Sequence, residues 1–189
     1  VGAVGLEEKQ CFTRVLQGMI ALSRARWPAG LSGRDLDPIA RYPIWLAGHD
    51  FDHGTGHGVG AFLSVHEGPA RISKVSEIPL EPGMILSNEP GYYRDGQWGI
   101  RIENLVLARE PQKISGGNID VMGFETLSLA PIDLRLIDPS MLEKSELHWL
   151  NAYHGWVKRQ LSPHLDDEEA KWLGKATTPL SHELPAASA

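Results

Sequence analysis

Apolar side chains recur at helical spacing near the start of the chain. Intervals of three and four residues predict one amphipathic helix over residues 7–27. Glutamates stand in its first turn and arginines in its last, which suits the helix dipole. Pro28 is expected to end the helix, since proline cannot continue its hydrogen bonds. The apolar face consists of Phe12, Val15, Leu16, Met19 and Ile20.

A second, shorter helix is predicted from one cap-and-proline pair. Asp37 is expected to be its N-cap, with Pro38 at the first helical position. Pro43 should bend or shorten this helix, and Gly48 should close it.

Between residues 59 and 129 the residue pattern changes to one that predicts strands and turns. Runs of β-forming residues bounded by glycine and proline predict strands, and two glycine-containing segments, 81–83 and 94–99, predict turns. In the longest run, Arg101 and Glu103 are expected to share one face. The predicted strands cover residues 59–66, 83–89, 99–108 and 124–133.

Helical periodicity returns after residue 138. Asp138 and Pro139 form a second cap-and-proline start, and an apolar stripe continues to about Leu161. The order of elements is therefore helix, mostly antiparallel strands, then helix, which predicts an α+β fold. The stripe consists of Leu142, Trp149, Leu150, Tyr153 and Val157.

The last part of the chain predicts one more short helix near residues 166–173. Asp166 and Glu169 resemble a capping box at its start. The tail from Thr177 onward has no periodicity and is expected to be frayed.

Composition narrows the class of protein without naming a function. The 189 residues are 42% hydrophobic and 22% charged, which is ordinary for a globular chain. A net charge of −6 with no basic patch argues against a nucleic-acid partner. Cys11 is the sole cysteine, so a reducing, cytoplasmic location fits best. No apolar run is long enough to span a membrane, and no leader peptide is visible.

The segment HGTGHGVG, residues 53–60, holds two histidines among four glycines. So many glycines disfavour a helix and indicate that the backbone approaches something closely. Further along, Glu89 follows an apolar strand and Glu103 lies within one. A carboxylate buried there costs several kcal/mol unless it is paired or bound to metal. Imidazole with two carboxylates would suit Mn²⁺, Co²⁺ or Zn²⁺.

Several of these residues also have a purely structural explanation. Glu103 could simply pair with Arg101, and Glu67 could be a turn residue. Asp95 lies in a plain turn and receives no role. The remaining candidates are histidines expected on helix surfaces or in the tail, namely His148, His154, His164 and His182.

Four motifs in register give a resemblance. HGTGHGVG, VHEGP (65–69), NEPGYY (88–93) and GIRIEN (99–104) resemble the aminopeptidase P (Xaa-Pro aminopeptidase) family. Its members are pita-bread metallopeptidases, a group that includes prolidase, creatinase and methionine aminopeptidase. The similarity runs from about residue 6 to 179 and includes a C-terminal helical extension.

The resemblance implies a role for each matching residue. His57, Glu89 and Glu103 match metal ligands, with Glu103 expected to bridge two metals. His66 matches the histidine that hydrogen-bonds the reacting carbonyl or moves a proton, and His53 matches a histidine beside the substrate's proline. The residues implied to hold the carboxylate ligands in place are Arg101 and Tyr93.

The implied activity is removal of the residue before proline by a hydroxide bridging two divalent ions, most simply Mn²⁺, with Zn²⁺ or Co²⁺ as alternatives. Substrates would be peptides with proline in second position, and a homodimer is conceivable. A prolidase-like dipeptidase or a non-catalytic peptide-binding module of the same fold are the alternatives. A cupin-type site does not fit the ligand spacing.

The chain departs from the family in one respect. Members carry two aspartate ligands upstream of the first helix matched here, which this sequence lacks. The expectation is therefore a C-terminal piece with an incomplete metal site, inactive by itself. Its expected division is residues 1–137, the second half of the pita-bread domain, and 138–189, the helical extension.

Overall fold

The computed structural model describes residues 3–182. Within that range, short 3-10 turns cover Leu134–Leu136, Pro139–Met141 and Ser162–His164. The α-helices are α1 (Leu6–Ser23), α2 (Gly33–Trp45), α3 (Lys144–Leu161) and α4 (Asp167–Ala176). The strands are β1 (Arg26–Pro28), β2 (Gly56–His57), β3 (Arg71–Ile72), β4 (Ile85–Asn88), β5 (Gly91–Arg94), β6 (Trp98–Arg101), β7 (Asn104–Ala108), β8 (Gln112–Lys113) and β9 (Asp120–Thr126).

Every strand pair is antiparallel within the described residues. The main sheet has the order β1-β9-β7-β4, and β8 also pairs with β9. Two small ribbons accompany it, β2 with β3 and β5 with β6. The predicted α+β class with mostly antiparallel pairing is confirmed.

The chain forms two compact units. One consists of Arg14–Ser128, and the other combines the residues up to Thr13 with those from Leu129 onward. The division expected from the sequence, residues 1–137 and 138–189, stays a prediction. Among the described residues there is no helix with the length and apolar character needed to cross a membrane.

The core of the Arg14–Ser128 unit lies between the main sheet and the helices of that unit. Strand β7 shows the alternation that puts one face inside, since Asn104, Val106 and Ala108 are buried while Leu105 and Leu107 are partly exposed. The core residues are Leu22, Ala25, Trp27, Leu36, Ala40, Ala70, Ile72, Leu80, Leu86, Val106, Ala108, Met122 and Phe124.

The first predicted helix is too long at its C-terminal end. Helix α1 stops at Ser23, and the following residues form strand β1. Trp27 pairs in register with Met122 and packs against Phe124, with ring centroids 4.6 Å apart. Because Trp27 is 2% exposed, pairing with β9 buries a large side chain that a longer helix would direct elsewhere.

The second helix begins earlier than predicted. Helix α2 starts at Gly33, and its cap is Ser32, which shares a capping box with Asp35. Asp37 is therefore inside the helix and not its cap. It is fully buried, and its carboxylate accepts hydrogen bonds from side chains instead of from the helix backbone.

Residues 59–66 do not form the predicted strand. They make a loop in which the Gly60 N–H donates to the carbonyl of Ser64. The apolar side chains of Phe62, Leu63 and Val65 point to solvent. β-forming residues without a neighbouring strand to pair with do not make a strand.

Two other strand predictions were partly wrong. The run 99–108 is divided between β6 and β7, so that Glu103 lies exposed at the break and not buried in a strand. The predicted strand 124–133 ends at Thr126.

The unit that contains α3 and α4 packs around the buried face of α3. The second cap-and-proline start gives only the 3-10 turn at Pro139–Met141, and the α-helix follows it. The capping box of Asp166 and Glu169 at the start of α4 is confirmed. The buried face of α3 consists of Leu147, Leu150, Tyr153, His154 and Val157.

His154 is not on the surface, as the sequence had indicated, but fully buried. Its Nε2 accepts a hydrogen bond from the Ile132 N–H at 3.0 Å, and burial lowers its pKa to about 4. His148, His164 and His182 are exposed as expected.

The start of the tail is hydrogen-bonded and not frayed. The side-chain amide of Asn151 donates a hydrogen bond to the Leu180 carbonyl and accepts one from the Leu180 N–H. Thr177 is buried. Residues 183–189 of the tail lie outside the described part of the chain.

Candidate metal centre

Strand register brings two glutamates to the same end of the main sheet. Strands β4 and β7 pair so that Asn88 lies opposite Asn104. Glu89 follows the first strand and Glu103 precedes the second, which makes them neighbours across the ladder. The sequence spacing of these carboxylates says nothing of this proximity, because antiparallel pairing alone creates it.

Strand β2 adds an imidazole to the two carboxylates. One ligand atom from each of His57, Glu89 and Glu103 lies within 4.8 Å of the others. Glu89 is 7% exposed, while His57 is partly exposed and Glu103 is exposed. The three residues predicted as metal ligands are thus brought together, and their nitrogen and oxygen donors suit a divalent ion of borderline to hard character.

Two glycines let this imidazole sit against neighbouring backbone. A Cβ added to Gly56 would lie 2.0 Å from the carbonyl oxygen of Ser87, and one added to Gly58 would lie 2.1 Å from that of Glu67. The close approach predicted for HGTGHGVG is real, but its partners in the structure are carbonyls of the chain itself.

The hydrogen bonds of His57 determine which ring nitrogen is available. Nδ1 lies 3.0 Å from the Gly58 carbonyl, an acceptor, so Nδ1 carries a proton and donates. The opposite nitrogen, Nε2, faces Oε1 of Glu89 at 3.2 Å. In the neutral ring this places a lone pair against a carboxylate oxygen, which is unfavourable unless a second proton or a cation lies between them. The donor set therefore fits a metal ion.

Ser87 is a member of the site that sequence reasoning missed. Its hydroxyl donates a hydrogen bond to Oε1 of Glu89 at 3.0 Å and accepts one from the backbone N–H of His57 at 3.0 Å. It is fully buried. Its position two residues before Glu89 puts it on the same face of the extended chain, which was the available sequence signal.

Tyr93 and Arg101 lie on the β5–β6 ribbon beside the cluster. The Arg101 guanidinium lies 3.5 Å from Oε2 of Glu89, and its Nε donates to the Tyr93 hydroxyl at 2.9 Å. Burial by itself would lower the pKa of Arg101. The hydrogen bond to Tyr93 and the charges of Glu89 and Glu103 together outweigh burial, so the pKa of Arg101 lies above its usual value.

His53 continues this hydrogen-bonded chain. Its Nδ1 lies 2.7 Å from the Gly54 carbonyl and so donates, which leaves Nε2 to accept from the Tyr93 hydroxyl at 2.9 Å. His66 lies on the other side, on the loop after β2, with its ring centroid 3.9 Å from that of His57. All seven residues singled out from the sequence are thus linked by contacts around one cluster. Their individual roles stay predictions.

Known proteins resemble the chain in both sequence and structure. A family described as metallopeptidase family M24 matches residues 1–110, and a C-terminal region of the same peptidases matches residues 120–180. Aminopeptidase P1 from Lotus japonicus is 46% identical over 182 residues, which cover 95% of this chain and 28% of that protein.

Two solved structures extend the comparison. One is an X-prolyl aminopeptidase from Caenorhabditis elegans, described as a cytosolic enzyme with a di-nuclear active site. It is 38% identical to this chain with a TM-score of 0.89, and the match covers 94% of this chain and 30% of the aminopeptidase chain. The other is a prolidase from Pyrococcus furiosus, which is 34% identical with a TM-score of 0.55. That match covers 67% of this chain and 34% of the prolidase chain.

These similarities confirm the resemblance inferred from the four motifs, and with it the pita-bread fold. The chain spans a little over a quarter of the length of the curated relative from Lotus japonicus, at 28%.

Proposed function

The chain belongs to metallopeptidase family M24, and on that basis we propose that it carries part of the active site of an Xaa-Pro aminopeptidase. Such an enzyme removes the first residue of a peptide whose second residue is proline. The observation that carries the proposal is the convergence of His57, Glu89 and Glu103, with donor atoms within 4.8 Å.

The three ligands would hold divalent ions, most simply two Mn²⁺, together with ligands from beyond this set. An imidazole and two carboxylates provide too few donors for a complete two-metal site. When bound, the ions would supply Lewis acidity and make water a nucleophile near neutral pH. The hydrogen bond from Ser87 to Oε1 and the ion pair of Arg101 with Oε2 would hold the two oxygens of Glu89 in fixed directions.

The neighbouring side chains would orient the substrate and handle protons. His66, whose ring lies beside that of His57, would donate a hydrogen bond to the carbonyl of the bond that is cut. His53 is hydrogen-bonded to Tyr93, and in this position its ring would contact the proline of the substrate.

The experiment combines metal counting with peptide cleavage. The purified chain is loaded with Mn²⁺, excess metal is removed, and bound ions are counted by mass spectrometry for the wild type, Glu89→Gln and the control Glu125→Gln, whose carboxylate pairs with Arg109 on the surface. We expect Glu89→Gln alone to retain less Mn²⁺, because it loses one of the two proposed carboxylate ligands.

Cleavage is measured on the full-length protein that contains this sequence. We expect release of the first residue from a tripeptide with proline second, loss of at least about a hundredfold in kcat/KM in Glu89→Gln, and no cleavage when alanine replaces proline. Equal metal binding by all variants, or cleavage without regard to proline, would contradict the proposal.

A prolidase-like dipeptidase is the second candidate, favoured by the 34% identity to the Pyrococcus furiosus prolidase. That structure matches 67% of the chain, while the Caenorhabditis elegans aminopeptidase matches 94%. A preference for Xaa-Pro dipeptides over longer peptides in the same assay would select the dipeptidase.

A further inference from the structure

A buried arginine outside the ligand cluster holds the loop that carries His53. Arg41 lies on α2, and its side chain is 2% exposed. Its Nε donates to Asp37 at 2.6 Å, and Nη1 donates to Asp50 at 2.7 Å. The same guanidinium donates to two backbone carbonyls, those of Phe51 and His53, at 2.7 Å each.

The shape of the guanidinium matters as much as its charge. Four acceptors in different directions are met by one planar fork, which also stacks 3.8 Å above the centroid of the Phe51 ring. Lys74 donates to the second oxygen of Asp50 at 2.9 Å. Burial raises the pKa of Asp50, but the bonds from Lys74 and Arg41 outweigh this and hold it below its usual range.

The network continues from Asp37 toward the metal ligands. The other oxygen of Asp37 accepts from the Thr55 hydroxyl at 2.6 Å. The carbonyl of Thr55 accepts from the Glu89 N–H at 2.8 Å. Asp37 and Thr55 are both fully buried, so each of these bonds is made without competition from water.

We propose that Arg41 and Asp37 are positioning residues of the active site: they clamp the backbone from Phe51 to Thr55 and thereby fix His53 and Glu89 relative to each other. The role assigned to His53 and Glu89 rests on the proposed function, but the clamp itself is defined by hydrogen bonds. Preorganisation of this kind is what a site needs when ligands from separate segments must meet a small ion.

A purely structural role makes a different prediction. A buried ion network that only stabilises the core would, when weakened, lower the stability of the whole Arg14–Ser128 unit evenly. A positioning role concentrates the effect in the clamped loop and at Glu89. The Glu89 amide and the rings of His53 and His57 therefore report on the clamp, and the Val106 amide in the β4–β7 ladder reports on the unit as a whole.

The first test compares Thr55→Val with Thr55→Ser, measured without metal or peptide. The valine has nearly the same shape but no hydroxyl for Asp37, while the serine retains one. In Thr55→Val we expect hydrogen exchange of the Glu89 amide to rise about tenfold or more relative to Val106. The ring carbon-proton NMR signals of His53 and His57 should also shift. Thr55→Ser should restore the wild-type values.

The second test replaces Arg41 with lysine, which keeps the charge but loses the fork. Arg109→Lys, at a surface ion pair with Glu125, is the matched control. We expect Arg41→Lys to speed exchange at Glu89 and shift the His53 signal, while the control changes neither.

Equal acceleration at Glu89 and Val106, or unmoved imidazole signals in folded Thr55→Val, would overturn the positioning role. Because no step of the measurement uses a metal or a peptide, a failure of the proposed function would leave these results standing, and the reverse also holds.

Discussion

A single hydrogen bond decides what His57 can bind. The Gly58 carbonyl accepts a hydrogen bond from Nδ1–H, so that in the neutral ring the lone pair of Nε2 faces Glu89. The same logic orients His53, whose Nδ1 donates to Gly54 and whose Nε2 accepts from Tyr93. In both cases a backbone carbonyl next to the histidine selects the tautomer, which is how proteins prepare imidazoles for ligation or substrate contact.

His154 makes stability depend on pH for a different reason. It is buried, its folded pKa is lowered to about 4, and its Nε2 must stay unprotonated to accept from Ile132. Between its ordinary pKa of about 6.5 and about 4, the unfolded chain binds a proton that the folded chain does not. Stability is therefore fully present above that window and lost as pH falls through it.

The pH prediction is tested with His154→Gln, whose side-chain oxygen can accept from Ile132 but does not titrate. Between pH 7 and pH 4 we expect the wild type to lose up to about 3 kcal/mol of unfolding free energy more than this variant, at about 1.4 kcal/mol per pKa unit. Urea denaturation at several pH values measures it, with His148→Gln on the surface as control. Parallel pH curves for the wild type and His154→Gln would refute the assignment.

At the scale of elements, the pairing of strands in the main sheet and in the β5–β6 ribbon determines the site. The β4–β7 register makes Glu89 and Glu103 neighbours, and the β5–β6 ribbon presents Tyr93 and Arg101 beside them. The opposite face of that ribbon carries Tyr92, which stacks on His49 with ring centroids 4.3 Å apart. Each strand thus contributes one residue to the site and the next to packing, as the period of two requires.

The close contact between β2 and β4 gives a prediction about Gly56. An alanine there would bring its Cβ to 2.0 Å from the Ser87 carbonyl, which is backbone and cannot rotate away. We expect Gly56→Ala to destabilise the chain by about 1–3 kcal/mol. Gly155→Ala, in α3 with only a flexible Arg159 atom at 3.5 Å, should instead stabilise by about 0.5–1 kcal/mol.

Chemical denaturation followed by tryptophan fluorescence measures both glycine variants. Equal effects of the two substitutions would mean that the β2–β4 contact is looser than the structure shows.

At the scale of the molecule, the three proposed metal ligands all lie in the Arg14–Ser128 unit. Binding to the folded state alone stabilises it by about 2.7 kcal/mol when the free ligand is at a hundred times Kd. We expect Mn²⁺ to slow hydrogen exchange in peptides covering 53–58, 85–89 and 101–105, and a chelator to reverse the effect. Mass spectrometry measures this exchange, and Glu89→Gln should show clearly less protection than the wild type at the same Mn²⁺ concentration. Protection spread evenly over both units would contradict the ligand assignment.

The sequence by itself determined the α+β class, with helices toward both ends and antiparallel strands between them, and the seven residues around the cluster. Glycine-flanked histidines and carboxylates at strand ends are local features, readable from neighbouring residues, and four motifs in register tied them to a family. The capping box at Asp166 was predicted correctly for the same reason, since a cap involves residues three positions apart.

Only the tertiary structure decided where the strands find partners and which polar groups are buried. Residues 59–66 look like a strand yet have no neighbour to pair with, whereas Trp27 leaves a helical pattern because β9 lies beside it. The sequence predicts Asp37 as a helix cap, but its carboxylate accepts hydrogen bonds from Arg41 and Thr55. It likewise predicts His154 on the surface, but His154 is buried. Strand pairing and burial depend on residues far apart in sequence, and local patterns carry no record of those contacts.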